Sequence, residues 1–148
     1  MLRNCRYPGP MHADSSISDR LASTFNDRFR GHDNRNWDEW QTAHAYASAA
    51  EIPPHAERAW IGRQKLNYRG IGDRTKLRHL IASNVDQSFF NEIGELPELE
   101  RLELEWPMVA SDLSPLLRLS QLAFLGIDSP RKIDDFAPLI QIPSLRTL

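Results

Sequence analysis

The 148-residue sequence has a single cysteine, Cys5, and no apolar run approaching the roughly 18 residues that a membrane-crossing helix needs. One thiol excludes an intrachain disulfide and a cysteine-based zinc site, and nothing in it argues for an oxidising compartment. The opening MLRNCRYPGPMHADSS carries arginines with no apolar core behind them, so it does not read as a secretory signal. These absences predict a cytoplasmic protein without a membrane partner. Catalytic signatures are missing as well. His12, His32, His44, His55 and His79 show no H-x-x-x-H spacing, and there is no G-x-S-x-G elbow or P-loop. GIGDRT at 70–75 lacks the third glycine and the helix start of a dinucleotide fingerprint. Two carboxylates on one open strand face, Glu103 and Glu105, are more often solvated charges than a general acid and base. No metal, cofactor or enzymatic activity is expected.

The net charge of −2 hides an asymmetry. Residues 1–80 carry 13 Lys/Arg against 9 Asp/Glu, whereas residues 81–148 carry 5 against 11. The basic excess gathers in Arg58, Arg63, Lys65, Arg69, Arg74, Lys76 and Arg78. The acidic excess gathers in Glu92, Glu95, Glu98, Glu100, Glu103 and Glu105. Such blocks are either solvated faces or a two-signed surface that steers a partner of complementary pattern.

What is present in abundance is an internal repeat. Residues 99–121 superpose on 122–144 with a constant offset of 23. Leu99 falls on Leu122, Leu102 on Leu125, Leu104 on Ile127, Pro107 on Pro130, Asp112 on Asp135, Pro115 on Pro138, Leu116 on Leu139 and Leu119 on Ile142. Traced backwards, Leu77, Leu80 and Ala82 precede Leu99, Leu102 and Leu104 by 22, and Ala56, Ala59 and Ile61 stand 21 earlier still. The units are therefore about 56–76, 77–98, 99–121 and 122–144, with a truncated copy opening at Leu145. A period of this length signals a solenoid, in which each unit buries its apolar face only by stacking on its neighbours.

Ahead of the repeats, residues 1–15 read as a disordered tail and 16–54 as a helical region that caps the first unit. Ile17, Leu21, Phe25 and Phe29 line one face of a helix from Ser16. A second helix over Asp38–Ala50 has Asn36 as its cap, acidic residues in its first turn and high-propensity alanines. Pro53-Pro54 ends it and marks the boundary with the repeats, which occupy 55–148.

Each unit opens with L-x-x-L-x-L, whose last portion has period two. In Leu102-Glu103-Leu104 the leucines point to one side and the glutamate to the other. One such strand per unit requires the copies to lie parallel and to share a leucine core. Leu113, Leu116 and Leu119 step by three, which suits a helical or 3-10 turn returning over the back. Asp112 and Asp135 are placed to cap those turns, and Pro115 and Pro138 sit where a missing N–H costs little.

With DLSPL at 112–116, DFAPL at 135–139 and the LP- or IP-x-L-x-x-L that follows each, the chain from about Ala56 resembles bacterial leucine-rich repeats of the short, internalin-like type. The resemblance implies a right-handed α/β solenoid with parallel strands on its concave face and helical or 3-10 turns on its convex face. One departure stands out. The family often places Asn after the strand to bond the neighbouring turn, and Val85, Pro107 and Pro130 stand there instead. An asparagine ladder is therefore not expected.

The resemblance also implies that partners bind the concave face, where the non-leucine strand residues form columns. One column is Arg58, His79, Arg101, Phe124 and Thr147. The central one is Trp60, Ile81, Glu103 and Gly126, and the third is Gly62, Ser83, Glu105 and Asp128 with Trp106 just beyond. Aromatic anchors with an adjoining arginine are typical of protein-interface hot spots, so recognition of a protein partner is the expected function. Two alternatives come from other classes. The Arg58–Arg78 cluster, with Trp60 and Tyr68, has the composition to hold phosphates and stacked bases, against which the acidic stretch that follows argues. The unfinished unit at Leu145 predicts a fragment of a longer solenoid, or self-association through an uncapped C-terminal edge.

Overall fold

The structure is a computed structural model that describes residues 42–148. The tail expected over 1–15, the helix expected from Ser16 and the start of the helix expected over Asp38–Ala50 lie outside the described residues. Ala45–Leu148 forms one compact α/β unit. Its strands are β1 (Arg58–Gly62), β2 (His79–Val85), β3 (Arg101–Met108) and β4 (Phe124–Ile127). They make a single sheet in chain order, every neighbouring pair parallel. The connections carry helix α1 (Gln87–Ile93), the four-residue helix α2 (Ala137–Ile140), and 3-10 turns at Ile71–Asp73 and Ser114–Arg118. A further 3-10 turn, Ala49–Glu51, precedes β1.

The register follows the repeat residue by residue. Leu80 lies beside Leu102 and Leu102 beside Leu125, while Ala82 lies beside Leu104 and Leu104 beside Ile127. Their side chains share the face that packs against the returning segments. Leu77, Leu99, Leu113, Leu116, Leu119 and Leu122 are buried in the same core, together with Phe89, Phe90 and Ile93 of α1. Each such leucine removed from water stabilises the fold by about 1.5–3 kcal/mol. Tyr68 stacks on Phe89 with ring centroids 4.9 Å apart, which joins the first return segment to the second.

A recurrent backbone device fixes where each strand begins. The carbonyl of Glu57 accepts from the N–H groups of both Arg78 and His79, at 2.8 and 3.0 Å. That of Arg78 accepts from Glu100 and Arg101, both at 2.9 Å. Glu100 does the same for Ala123 and Phe124, and Ala123 for Arg146 and Thr147. A carbonyl has two lone pairs, so one oxygen can hold both donors of the next turn.

Asp112 and Asp135 precede the N-cap residues Leu113 and Phe136, and the side-chain N-cap is made by Asp86 instead. Asp86 accepts from Phe89 N at 2.8 Å and opens α1 as a true N-cap. Asp112 accepts from the N–H and hydroxyl of Ser114, and Asp135 from the N–H of Ala137 at 2.8 Å. Gly70 precedes the Ile71–Asp73 turn at φ 88, a conformation that glycine adopts without strain. Its N–H donates to Glu92 of the next turn.

Two local expectations are corrected. Ala45, inside the span expected as helix, forms a parallel bridge with Trp60, and Tyr46 N donates to Trp60 O at 2.9 Å. The outer edge of β1 has backbone groups to satisfy, and that need overrides the helical propensity of the alanines. Asparagine also bonds neighbouring turns, from positions other than those anticipated. Asn67 Nδ2 donates to the carbonyls of Ala47 and Gly62, and Asn84 Nδ2 to that of Arg63.

Candidate functional site

Sheet register assembles the anticipated columns. Arg58 lies beside His79, His79 beside Arg101 and Arg101 beside Phe124, and an isolated bridge places Thr147 beside Phe124. Trp60, Ile81, Glu103 and Gly126 form the second column; Gly62, Ser83 and Glu105 begin the third. The N–H of Asp128 donates to Leu104 O at 2.8 Å, which sets Asp128 next to Glu105.

Solvent reaches these columns unevenly, and here four site residues need correction. Ile81 and Arg101 are 0% exposed, and His79 and Glu103 are also buried. None of the four presents a free side chain to a partner. Ile81 stands apart from the leucine cluster on the other face, so the sheet is buried on both sides at its centre. The polar members of this buried patch contact one another laterally. Glu103 Oε1 accepts from Arg101 Nε at 2.9 Å and lies 2.8 Å from Arg101 Nη2 and 3.2 Å from His79 Nε2. The Arg101 guanidinium in turn sits 3.9 Å over the centre of the half-buried Phe124 ring, a favourable cation–π geometry.

Burial pushes the His79 pKa down to about 4; the bond to Glu103 opposes that shift, and the charge of Arg101 reinforces it. The imidazole is therefore neutral at pH 7, donating from Nε2 to the carboxylate. A period-two pattern shows which side a residue takes, but not whether that side is covered, so it does not reveal the burial of this patch.

Four members of the basic cluster, Arg63, Arg74, Lys76 and Arg78, are engaged as well. Lys76 pairs with Glu98 at 2.9 Å and Arg78 with Glu100 at 2.5 Å, both one turn further on. Arg63 bonds the carbonyl of Asn84 at 2.7 Å and lies 3.4 Å from Asp86, and Arg74 bonds the carbonyl of Ala49. Arg118 pairs with Glu95 of the preceding turn. Lys76 and Arg78 thus join the basic block to the acidic one across the connections of adjacent strands. Exposed pairs of this kind contribute only about 0–1 kcal/mol each, yet they occupy cations that a phosphate backbone would need.

What remains accessible lies toward the C-terminal ends of the strands. Trp106 is 62% exposed at the end of β3, and Asp128 is exposed beyond β4. Ser83, Glu105 and Trp60 are half-buried, and Arg58 is exposed at the start of β1. Glu105 Oε2 accepts from the indole Nε1 of Trp60 at 3.1 Å, reaching back across the short Ser83 side chain. Sequence reasoning did not find this bond, which joins residues 45 positions apart.

Among the described residues no group of three or more His, Cys, Asp or Glu is placed to hold a metal ion. Nor is any helix among them long and apolar enough to cross a membrane. No family model matches the chain, and no curated protein is similar to it.

Proposed function

We propose that residues 55–148 are a coil of leucine-rich repeats of the short bacterial type, serving as a non-catalytic, cytoplasmic protein-recognition module. The repeat reading is supported by strands in chain order, by leucines in register, and by carbonyl hooks at Glu57, Arg78, Glu100 and Ala123 spaced by 21, 22 and 23 residues. A right-handed crossover is the rule for parallel strands joined in this way. The cytoplasmic assignment rests on the single cysteine of the sequence.

The observation that carries the recognition reading is Trp106. A large aromatic side chain is left in solvent near the end of a strand. Tryptophan is the residue type most enriched among interface hot spots, where truncation costs at least about 2 kcal/mol. Recognition thus operates at this rim rather than across the buried centre of the sheet.

Affinity capture from cells of the source organism tests the reading, with Trp106→Ala and Glu105→Lys compared against the exposed control Leu117→Ala. The first two variants should lose the partner that wild type and Leu117→Ala retain. Capture unchanged in all three removes the rim from consideration. Binding of single-stranded RNA or DNA at low salt that collapses as salt rises would favour the nucleic-acid alternative instead.

A further inference from the structure

We infer that Asn84 is the positioning residue of Trp106. Clamped by Arg63 in a left-handed conformation, it breaks the β2 ladder, deprives Trp106 of a place in the core and so turns the indole to solvent. On the recognition reading above, on which its functional use rests, Asn84 thereby fixes where a partner meets the molecule.

Alternation along β3 assigns Trp106 to the leucine side. Leu102, Leu104 and Met108 are all buried in the leucine core, and Trp106 lies between the last two with the same parity. It is nevertheless 62% exposed. The neighbouring strand supplies the reason, because its parity changes. Leu80 and Ala82 enter the core from β2, and the next β2 residue to do so is Val85, not Asn84. Ala82 pairs with Leu104 and Val85 with Met108, so two core positions on β2 stand beside three on β3. The middle one, Trp106, has no counterpart and is expelled, as the extra residue of a bulge is left unpaired.

Asn84 makes that change of parity. Its φ is 54, in the left-handed region that asparagine enters more readily than most residues. Successive carbonyls of a strand point to opposite neighbours. Ser83 O accepts from Arg63 N on the β1 side at 3.0 Å, so an unbroken strand would aim Asn84 O at β3 and Val85 O back at β1. The reverse is found. Asn84 O accepts from Arg63 Nε at 2.7 Å, and Val85 O accepts from Val109 and Ala110 beyond the bulge. The Asn84 amide completes the clamp: its Nδ2 donates to Arg63 O at 2.9 Å, and its Oδ1 accepts from Arg63 Nη2 at 3.4 Å. Pro107, the other residue opposite Asn84, has no N–H with which to recover the diverted carbonyl.

Exposure of Trp106 is read on the full chain from the broadening of its indole N–H resonance by a soluble nitroxide. Trp106→Phe and Trp60→Phe assign the two resonances that matter. Asn84→Gly keeps the left-handed backbone available and should leave the Trp106 broadening within twofold of wild type. Asn84→Val, whose β-branched side chain opposes that conformation, should reduce it at least threefold. Arg63→Met frees the Asn84 carbonyl and should reduce it at least twofold. The Trp60 indole, bonded to Glu105 just before the bulge, should change less than twofold throughout, which separates a local effect from unfolding. Partner capture should follow the same order, kept by Asn84→Gly and lost by Asn84→Val.

Equal Trp106 broadening in Asn84→Val and Asn84→Gly, with Trp60 unchanged, overturns the assignment. If Asn84→Val does not fold, Arg63→Met decides, and wild-type broadening in that variant overturns it equally. The resonances need no partner, so capture that ignores Trp106→Ala removes the recognition reading and leaves the positioning role standing.

Discussion

On one face of the sheet Leu80, Leu102 and Leu125 stand side by side as copies of one another; on the other, the equivalent row holds the imidazole of His79, the guanidinium of Arg101 and the phenyl ring of Phe124. Both rows are set by the same register, and both are largely withdrawn from solvent. They are stabilised in different ways. The leucine row depends on area and volume, so each member is nearly interchangeable with its neighbour. The polar row depends on particular partners, because a buried charge is tolerated only where its hydrogen bonds are met. Repetition builds the first, and divergence between the units builds the second.

The sharpest way to break this comparison is to remove one partner from the polar row. Arg101→Met takes the guanidinium from the buried Glu103 carboxylate and should cost about 3–5 kcal/mol in chemical denaturation. Adding Glu103→Leu should recover most of that loss, since a well-packed apolar pair often replaces a buried ion pair without penalty. Strictly additive losses would show that the two side chains do not act as a unit. On the leucine row, Leu102→Ala should cost about 2–5 kcal/mol and Leu102→Met less than about 1.5 kcal/mol. A severe loss with Met would mean that this face is as particular as the other.

The mildest test uses pH alone. Unfolded, His79 takes a proton near 6.5; folded, burial holds that event off until about 4. Below pH 6.5 the unfolded chain therefore binds more protons, and stability falls as pH drops from 6.5 to 4. This one group should account for a loss of about 3 kcal/mol over that window. His79→Gln should flatten the wild-type curve there; parallel curves for the two proteins would remove His79 as the cause.

Legibility in the sequence divides along the same line. The columns Arg58–His79–Arg101–Phe124 and Trp60–Ile81–Glu103–Gly126 were readable because offsets of 21, 22 and 23 residues and a period of two are properties of the string itself. The return turns were readable from Asp112, Pro115, Asp135 and Pro138. The burial of Ile81 and Arg101 was not, since alternation carries no information about what covers a face. The Trp60–Glu105 bond was equally hidden. It crosses two strands diagonally, and only the small size of Ser83 between them makes room for it. The Ala45 bridge was lost to local propensity, which said helix while the open edge of β1 required a partner.

The paired donors on Glu57, Arg78, Glu100 and Ala123 bear on how such a chain tolerates change in length. Each hook specifies the start of the next strand and is silent about the route taken to reach it. The first return segment contains a 3-10 turn, the second a capped α-helix and the third a 3-10 turn again, yet every strand enters the sheet in step. Changes of length fall after the strand entrances, either in the arcs or, as between β2 and β3, where the pairing passes from Ser83–Glu105 to Val85–Met108. A molecule built this way keeps its alignment by docking points rather than by counting residues, and each unit is free to acquire its own length.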